Sequence, residues 1–186
     1  MADLTIRMAK ALNGLPTFKD LDLKDLRNLE AEERRDQPEE IVAGSTAEEA
    51  LAFLEAHMGF SSPEMSAVIK ATHIGNMCIV RDKLAHIVEK RVDARERYVK
   101  LALDTLEHPY EIWETMYDDE MVRYIFIGTY KQRQQMLVVV APWDGKVLWN
   151  FMHTEAKGLN KHRRGKLLYC LSLIHISEPT RPEPIS

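Results

Sequence analysis

The sequence predicts an α+β fold, with N-terminal helices followed by a four-stranded antiparallel β-sheet. Two observations carry this prediction. Apolar side chains recur at helical spacing between residues 83 and 106, whereas from Val122 onward apolar and polar side chains alternate with a period of two. The later runs are also joined by short connections, which link antiparallel neighbours.

Charge divides the chain into parts of opposite sign. Residues 1–65 carry seven Lys and Arg against fourteen Asp and Glu, whereas residues 66–170 carry seventeen against thirteen. A basic domain behind an acidic leader fits a polyanionic ligand, and it fits equally a leader that shields the basic face. We predict four parts: an acidic, partly disordered leader (1–42), an accessory helix (43–65), the α+β domain (66–170) and a tail (171–186).

Two helical regions are predicted before the sheet. In the first, the Ser45-Thr46 pair can cap the helix start, acidic residues follow about three positions later, and Gly59 ends the helix. Residues 71–80 are then predicted to be extended. The second helical region covers residues 83–106, stops before a His-Pro pair, and allows a break near Val92.

The sheet is predicted from runs that are rich in β-branched and aromatic residues. Just before these runs, residues 110–117 are predicted to form a short helical turn or bridge. Residues 142–145 contain an Asp-Gly pair, which is typical of a tight hairpin between the second and third strands. The four strands are predicted at residues 123–130, 136–141, 146–153 and 167–169.

The tail has a distinctive sequence. Eleven consecutive residues, Leu171 to Arg181, match the conceptual translation of a transposase-type sequencing adapter. We therefore predict that residues 171–186 are artefactual and that the natural chain continues differently beyond Tyr169. A proline-rich disordered tail is the alternative.

Several classes of function lack their motifs in this sequence. Cys78 and Cys170 form no disulfide framework and indicate reduced thiols in a cytoplasmic protein. No apolar run reaches the roughly 20 residues that span a bilayer, and no signal peptide is evident. Metal-binding histidine spacing, a glycine-rich phosphate loop and a nucleophile elbow are all missing. We therefore expect no metal, no other cofactor and no membrane partner.

A histidine among cations is the main candidate for chemistry. His86 and Lys90 lie four residues apart, on one face of the predicted helix that Asp93 and Arg97 continue. Imidazole titrates near neutral pH and can accept or donate a proton, while guanidinium groups bind phosphate oxygens. Such a set suffices for metal-free RNA cleavage, in which the 2′-hydroxyl is the nucleophile. The same residues also fit a solvated helix face of paired charges, which spacing alone favours.

The basic segment from residue 157 to residue 166 is the second candidate. Its cations and Asn160 suit binding to a phosphodiester backbone, and they suit equally a soluble loop. Trp149 and Phe151 lie nearby on the third predicted strand. Aromatic residues that alternate along a strand favour a place in the core over a base-stacking platform.

Four blocks of this sequence occur in the order seen in a known family. The blocks are DKLAHIVEKRVDARERYVKLALDTLEHPYEIW, RYIFIGTY, VLWNFMH and LNKHRRGKLLY. Together they resemble the phage-borne barnase/EndoU/colicin/RelE-like nuclease domain of the second phage type, over about residues 66–170. The resemblance implies helices followed by a four-stranded antiparallel sheet, and metal-independent ribonuclease activity.

The resemblance, together with the charge pattern, also implies roles for individual residues. The implied catalytic set comprises His86 as acid or base, with Arg95, Arg123, Tyr124 and Asn150. The implied set that binds phosphate or RNA comprises Lys90, Arg91, Lys161, Arg163, Arg164 and Tyr169.

Two functions from different classes remain open. The first is an RNA-cleaving toxin or effector module of a phage or prophage, for which RNA and an immunity protein are the expected partners. The second is a non-catalytic structural or nucleic-acid-binding appendage of a phage head-morphogenesis protein, which would contact head or portal proteins. Either function is expected in the bacterial cytoplasm or in the virion.

Overall fold

A computed structural model describes residues 14–143 and 145–172. Its α-helices are α1 (Ala47–Met58), α2 (Ala85–Val88), α3 (Val99–Glu107) and α4 (Ala156–Asn160). Its strands are β1 (Ala67–Thr72), β2 (Gly75–Val80), β3 (Glu111–Met116), β4 (Val122–Gly128), β5 (Gln134–Ala141), β6 (Lys146–Glu155) and β7 (Lys166–Cys170).

The strands form one mixed sheet in the order β1-β2-β6-β5-β4-β3-β7. β2 and β6 run parallel and share a short pairing, in which Met77 and Cys78 face Lys146 and Val147. The other neighbouring strands are antiparallel. The predicted α+β class is therefore confirmed, whereas the prediction of four antiparallel strands is wrong.

Three strands lie beyond the predicted four, and two of them form a hairpin. β1 and β2 pair from Ala67 with Val80 to Thr72 with Gly75. At the turn, Gly75 adopts a φ of 103°, and the Thr72 hydroxyl donates a hydrogen bond to the Gly75 carbonyl at 2.6 Å. The turn falls inside residues 71–80, which are predicted as one extended segment. The weak alternation of this region does not distinguish one strand from two.

The third unpredicted strand is β3, which replaces the helical turn or bridge predicted for residues 110–117. Glu111, Ile112 and Trp113 are consecutive and fully buried. They are buried because β3 lies between β4 and β7, with packed side chains on both faces of the sheet. A strand that is buried on both faces lacks the polar alternation by which strands are predicted.

The helical region predicted for residues 83–106 is interrupted in the middle. α2 ends at Val88, Ala94 adopts a left-handed φ of 42°, and a 3-10 helix at Arg95–Tyr98 leads into α3. Arg91 folds back at this break, where Nη1 donates to the Val88 carbonyl at 2.8 Å. Arg91 Nη2 also lies 2.5 Å from Oε2 of the buried Glu96. The break turns the chain so that the 3-10 helix packs against β6.

Hydrophobic side chains pack on both faces of the sheet. The first cluster joins the helices α1 to α3 to one face, and it includes Leu54, Ile87, Leu101, Phe126 and Phe151. The second cluster joins α4 and the leader to the other face, and it includes Phe18, Leu26, Trp113, Leu137 and Leu159. The sheet is therefore the middle layer of the fold.

The described part of the leader, residues 14–42, packs against the sheet. Phe18, Leu26 and Leu29 are buried in the second cluster. The backbone of the leader also forms β-bridges at two places, from Thr17 to Arg164 and from Arg35 to Tyr130. Partial disorder is predicted for the whole leader, residues 1–42, and its first thirteen residues lie outside the described residues.

Two of the predicted local features are present at the ends of α1. The Thr46 hydroxyl accepts a hydrogen bond from the Glu49 amide at 3.1 Å, and Gly59 ends the helix with a φ of 97°. At the C-terminal end, the Leu171 amide donates to the Tyr110 carbonyl at 2.9 Å. The predicted artefactual tail falls outside the described residues from position 173 onward.

A buried ion pair connects β3 to the loop that follows α4. Arg163 donates from Nε to Oε1 of Glu111 at 2.6 Å and from Nη2 to Oε2 at 2.7 Å. Trp113 donates from its indole nitrogen to the same carboxylate at 2.9 Å. The side chains of Glu111 and Arg163 are each only 1% exposed, so water does not screen the pair.

We expect Glu111→Gln to destabilise the fold by about 3–5 kcal/mol, because it leaves the Arg163 charge buried without a partner. The double variant Glu111→Gln/Arg163→Met removes both charges and should recover much of this loss. Urea unfolding of the two variants and of wild type measures the difference. If Glu111→Gln lowers the free energy of unfolding by less than about 1 kcal/mol, the ion pair does not stabilise the fold as expected.

Candidate active site

A cleft of about 180 Å³ lies along β6. The lining residues come from α2 and the segment that follows it, from β5 and β6, from the end of β3, and from the loop after α4. The lining residues are His86, Ile87, Glu89, Lys90, Arg95, Tyr117, Leu137, Val139, Trp149, Asn150, Met152, Lys161 and His162. Five residues from the predicted site therefore meet here: His86, Lys90, Arg95, Asn150 and Lys161.

An irregularity in β6 directs two side chains toward the cleft. Val139 pairs with Asn150 and Val140 pairs with Leu148, so the register of β5 and β6 shifts by one residue at Trp149. A β-bulge of this kind re-aims the side chains beside it. Trp149 and Asn150 consequently both line the cleft, although neighbouring residues on a regular strand point to opposite faces.

The imidazole of His86 lies half-buried against Trp149, with ring centroids 4.5 Å apart. Burial is the main cause that lowers the pKa of His86 below its usual value, and the nearby charge of Arg95 lowers it further. Hydrogen bonding to the backbone of Trp149 and the charge of Glu89 act in the opposite direction. Because the net pKa shift is downward, the imidazole is largely neutral at neutral pH and can accept a proton.

Three cations line the same cleft as this neutral imidazole. Arg95 is held in place, since Nη1 donates to Oδ1 of Asn150 at 2.9 Å and Nη2 lies 3.3 Å from Oδ2 of Asp93. Lys90 and Lys161 reach the cleft from two different elements, and both side chains are exposed. The combination suits a phosphate group, because guanidinium and ammonium groups bind its oxygens by charge-assisted hydrogen bonds.

Two further residues of the cleft are absent from the predicted site. His162 is buried, and its burial is the main cause that lowers its pKa to about 4. Tyr117 is buried as well, and burial raises the pKa of its hydroxyl to about 12. His162 lies inside the basic segment that the sequence singles out, so its position was detectable. Tyr117 lies at the end of the segment predicted as a helical turn, where nothing in the sequence indicated a site.

Three of the predicted arginines are held elsewhere. Arg91 is tied to Glu96 and donates to the Gly44 carbonyl at 2.8 Å. Arg163 is 1% exposed and pairs with Glu111. Arg123 is 3% exposed, and its guanidinium carbon lies 5.8 Å from the centre of the Tyr117 ring. Arg123 therefore lies behind the cleft wall rather than on it.

Three other predicted residues also lie outside the cleft. Tyr124 packs against the first hydrophobic cluster, with the Lys146 ammonium 5.7 Å from its ring centre. Tyr169 stacks on His73 at a centroid distance of 4.3 Å. Arg164 lines a neighbouring groove on the surface. The roles predicted for these residues and for the three arginines stay predictions, and the cleft does not depend on them.

The helix face predicted from His86 to Arg97 does not form one continuous surface. Arg97 lies over the Tyr98 ring, with its guanidinium carbon 5.0 Å from the ring centre. Among residues 14–143 and 145–172, no three His, Cys, Asp or Glu side chains come together in a way that could hold a metal ion. Within the same residues, no helix is long and apolar enough to cross a membrane.

Comparison with known proteins gives one result for this chain. Residues 52–170, which are more than half of the chain, match the model of a family described as phage-Barnase-EndoU-ColicinE5/D-RelE like nuclease2. The matched region contains every residue that lines the cleft. The comparisons with curated proteins and with solved structures found no match.

The buried His162 makes the stability of the fold depend on pH. Its folded-state pKa of about 4 lies below the ordinary value of 6.5, so the unfolded chain binds more protons as the pH falls between these values. We expect this residue to lower the free energy of unfolding by about 2 kcal/mol between pH 7 and pH 5. The free energy of unfolding of His162→Gln, measured with urea at several pH values, should lack this part of the pH dependence.

The matched control is His108→Gln, which makes the same substitution at an exposed histidine. An identical pH dependence for wild type and His162→Gln would contradict the assignment.

Proposed function

The chain belongs to the phage-Barnase-EndoU-ColicinE5/D-RelE like nuclease2 family, and from that premise we propose that its nuclease domain cleaves RNA without a metal ion in the His86 cleft. One observation carries the proposal. A neutral imidazole and three cations line a single cleft. The imidazole can accept a proton, and the cations can bind a phosphate group.

The nucleophile in the proposed reaction is the 2′-hydroxyl of the RNA itself. His86 accepts the proton of this hydroxyl, the 2′-oxygen forms a bond to phosphorus, and the bond from phosphorus to the 5′-oxygen breaks. The products are a 2′,3′-cyclic phosphate and a free 5′-hydroxyl. His86 suits the role of base because its lowered pKa keeps the ring unprotonated at neutral pH.

The cations support the charge that develops on the phosphate. Arg95, fixed by Asn150, supplies an oriented guanidinium, while Lys90 and Lys161 supply ammonium groups. Because these donors are in place before the reaction, they stabilise the extra charge of the phosphorane with little rearrangement. The partly buried setting strengthens each of these interactions relative to water.

The leaving 5′-oxygen needs a proton. The Lys161 ammonium and the Tyr117 hydroxyl both line the cleft and can donate one. The Tyr117 hydroxyl keeps its proton at neutral pH, since its pKa is raised to about 12. His162 is neutral at that pH, because its pKa is lowered to about 4, and it therefore suits a hydrogen-bonding role better than that of an acid.

The proposal extends to the setting in which the domain acts. A ribonuclease of a phage or prophage would act on RNA in the bacterial cytoplasm as a toxin or effector, countered by an immunity protein. The alternative is a non-catalytic appendage of a phage head-morphogenesis protein, bound to head or portal proteins in the virion. The alternative predicts RNA binding without cleavage.

We expect His86→Ala to lower the rate of RNA cleavage by about 10²–10⁴-fold, because it removes the base. Wild type should remain fully active in excess chelator, and its products should carry a 2′,3′-cyclic phosphate and a 5′-hydroxyl. Gel assays with a labelled RNA and mass spectrometry of the products measure both effects.

The exposed His57 on α1 supplies the control, since His57→Ala should cleave at the wild-type rate. The proposal is wrong if wild type and His86→Ala are equally inactive, or if the chelator abolishes cleavage. RNA binding without cleavage would instead favour the non-catalytic appendage.

The pH profile tests the electrostatics of the same cleft. If neutral His86 is the base, kcat/KM rises with pH and levels off above the pKa of His86, so the midpoint of the rise should lie below pH 6.5. Arg95→Gln removes a charge that lowers this pKa and should move the midpoint to higher pH. Arg95→Lys keeps the charge and should leave the midpoint close to its wild-type position.

An acidic limb that is unchanged by Arg95→Gln would indicate that the titrating group is not His86. A rate that falls as the pH rises toward 6.5 would exclude a neutral base altogether.

A further inference from the structure

A second depression, here called the basic groove, lies next to the cleft and has a volume of about 320 Å³. It is formed where the leader meets α4 and the loop that follows. Its lining contains five cations and one carboxylate: Lys19, Arg27, Lys157, Lys161 and Arg164, with Asp25; Thr17, Phe18 and Asn160 complete it. Arg27 is engaged by Asp25, with Nη2 2.8 Å from Oδ2.

The four remaining cations are available to a ligand. Within the part of the chain that the structure describes, Lys19, Lys157, Lys161 and Arg164 form no ion pair with a carboxylate. The side chains of the three lysines are exposed. Uncompensated positive charge gathered in one depression attracts a polyanion.

The groove adjoins the cleft through a shared residue. Lys161 lines both depressions, with the cleft toward His86 and the groove toward the leader. A chain of phosphates that leaves the cleft past Lys161 therefore enters the basic groove. The cations of the groove continue those of the cleft, and such a number of positive charges suits a polymer with several phosphates better than an isolated phosphate.

Hydrogen bonds hold the two halves of the groove together. Asn160 Nδ2 donates to Asp25 Oδ1 at 2.8 Å, and the Leu26 amide donates to Asn160 Oδ1 at 3.2 Å. The Phe18 amide donates to the Arg163 carbonyl at 2.9 Å. The leader segment that carries the cations is therefore fixed relative to the loop, and binding need not order this segment.

The groove offers charge and no surface for stacking bases. Its single aromatic residue, Phe18, is 6% exposed and is covered by the Arg163 guanidinium, whose carbon lies 4.3 Å from the ring centre. The amide of Asn160 is already engaged by the leader. Contacts of this kind bind the phosphodiester backbone and do not read the sequence.

We propose that the basic groove holds the backbone of single-stranded RNA beyond the scissile phosphate, so that the substrate of this domain is an oligonucleotide. The inference rests on the function proposed above and adds a subsite to it. Half of this subsite, Thr17 to Arg27, precedes the region that matches the family. The single strand follows from the chemistry, since attack by the 2′-hydroxyl in line with the leaving oxygen requires a nucleotide that is free of a duplex.

The test compares Lys19→Gln/Lys157→Gln with wild type. Both lysines are exposed, and neither lines the cleft. Binding of 2′-deoxy oligonucleotides of 2 and 12 nucleotides to the full chain is measured by fluorescence anisotropy at several salt concentrations. These probes lack the nucleophile, so binding is measured apart from cleavage.

We expect wild type to bind the 12-mer more tightly than the dinucleotide, with affinity that falls as salt rises. The double variant should lower the slope of log K against log salt by about 1.4 for the 12-mer, or about 0.7 for each lost contact. Its affinity for the dinucleotide should not change. Lys70→Gln/Lys100→Gln removes the same charge outside both depressions and should behave like wild type.

The inference is overturned if the affinity of wild type does not depend on the length of the oligonucleotide. It is also overturned if the control variant loses as much affinity for the 12-mer as the groove variant does. The inference is also overturned if neither oligonucleotide binds, and an acidic protein would then be the better ligand. Length-dependent binding together with inactivity toward every RNA would support the groove and would refute only the proposed cleavage.

Discussion

The ion pair between Glu111 and Arg163 connects the three parts of the molecule on which the site depends. Glu111 belongs to a strand inside the sheet, and Arg163 belongs to the loop after α4. The same guanidinium donates to the Lys24 carbonyl of the leader at 2.8 Å and to Oδ1 of Asn160 at 3.1 Å. The loop that carries Lys161 and His162 is therefore fixed by the buried guanidinium group of Arg163. Burial makes this pair costly to disrupt, which suits a part that positions others.

Burial and positive charge act together in the cleft. Burial is the main cause that opposes protonation of the His86 imidazole, and the charge of Arg95, which would bind a phosphate, acts in the same direction. In the proposed reaction, these two effects keep His86 in the form that accepts a proton. When a phosphate enters, its negative charge offsets the nearby cations and favours the protonated ring. The electrostatics of the occupied cleft therefore assist the transfer of the proton.

The parts of the fold that follow local rules could be predicted from the sequence. Strands β4 to β6 are rich in β-branched and aromatic residues, β5 and β6 flank a predicted tight turn, and helix α1 has a cap and a terminal glycine. β3 could not be predicted, because Glu111, Ile112 and Trp113 are all buried and give no period. The pairing of β2 with β6 could not be predicted either, since contacts between distant segments leave no local signal.

The site was predictable to a similar extent. The pattern of a histidine near cations singled out His86 and Lys90, and the resemblance added Arg95 and Asn150. Composition could not distinguish a cation that faces a ligand from one that is paired inside the protein. Arg163 and Lys161 lie two residues apart in one basic segment, yet the first is buried against Glu111 and the second reaches the cleft.

The break at Ala94 has a geometric consequence for the cleft. An uninterrupted helix turns by 100° and rises by about 1.5 Å for each residue. Over the nine positions from His86 to Arg95, it would rotate the two side chains to opposite sides of its axis and separate them by roughly 13 Å along it. The chain instead leaves the helix after Val88 and passes through the left-handed Ala94, and His86 and Arg95 both line the cleft.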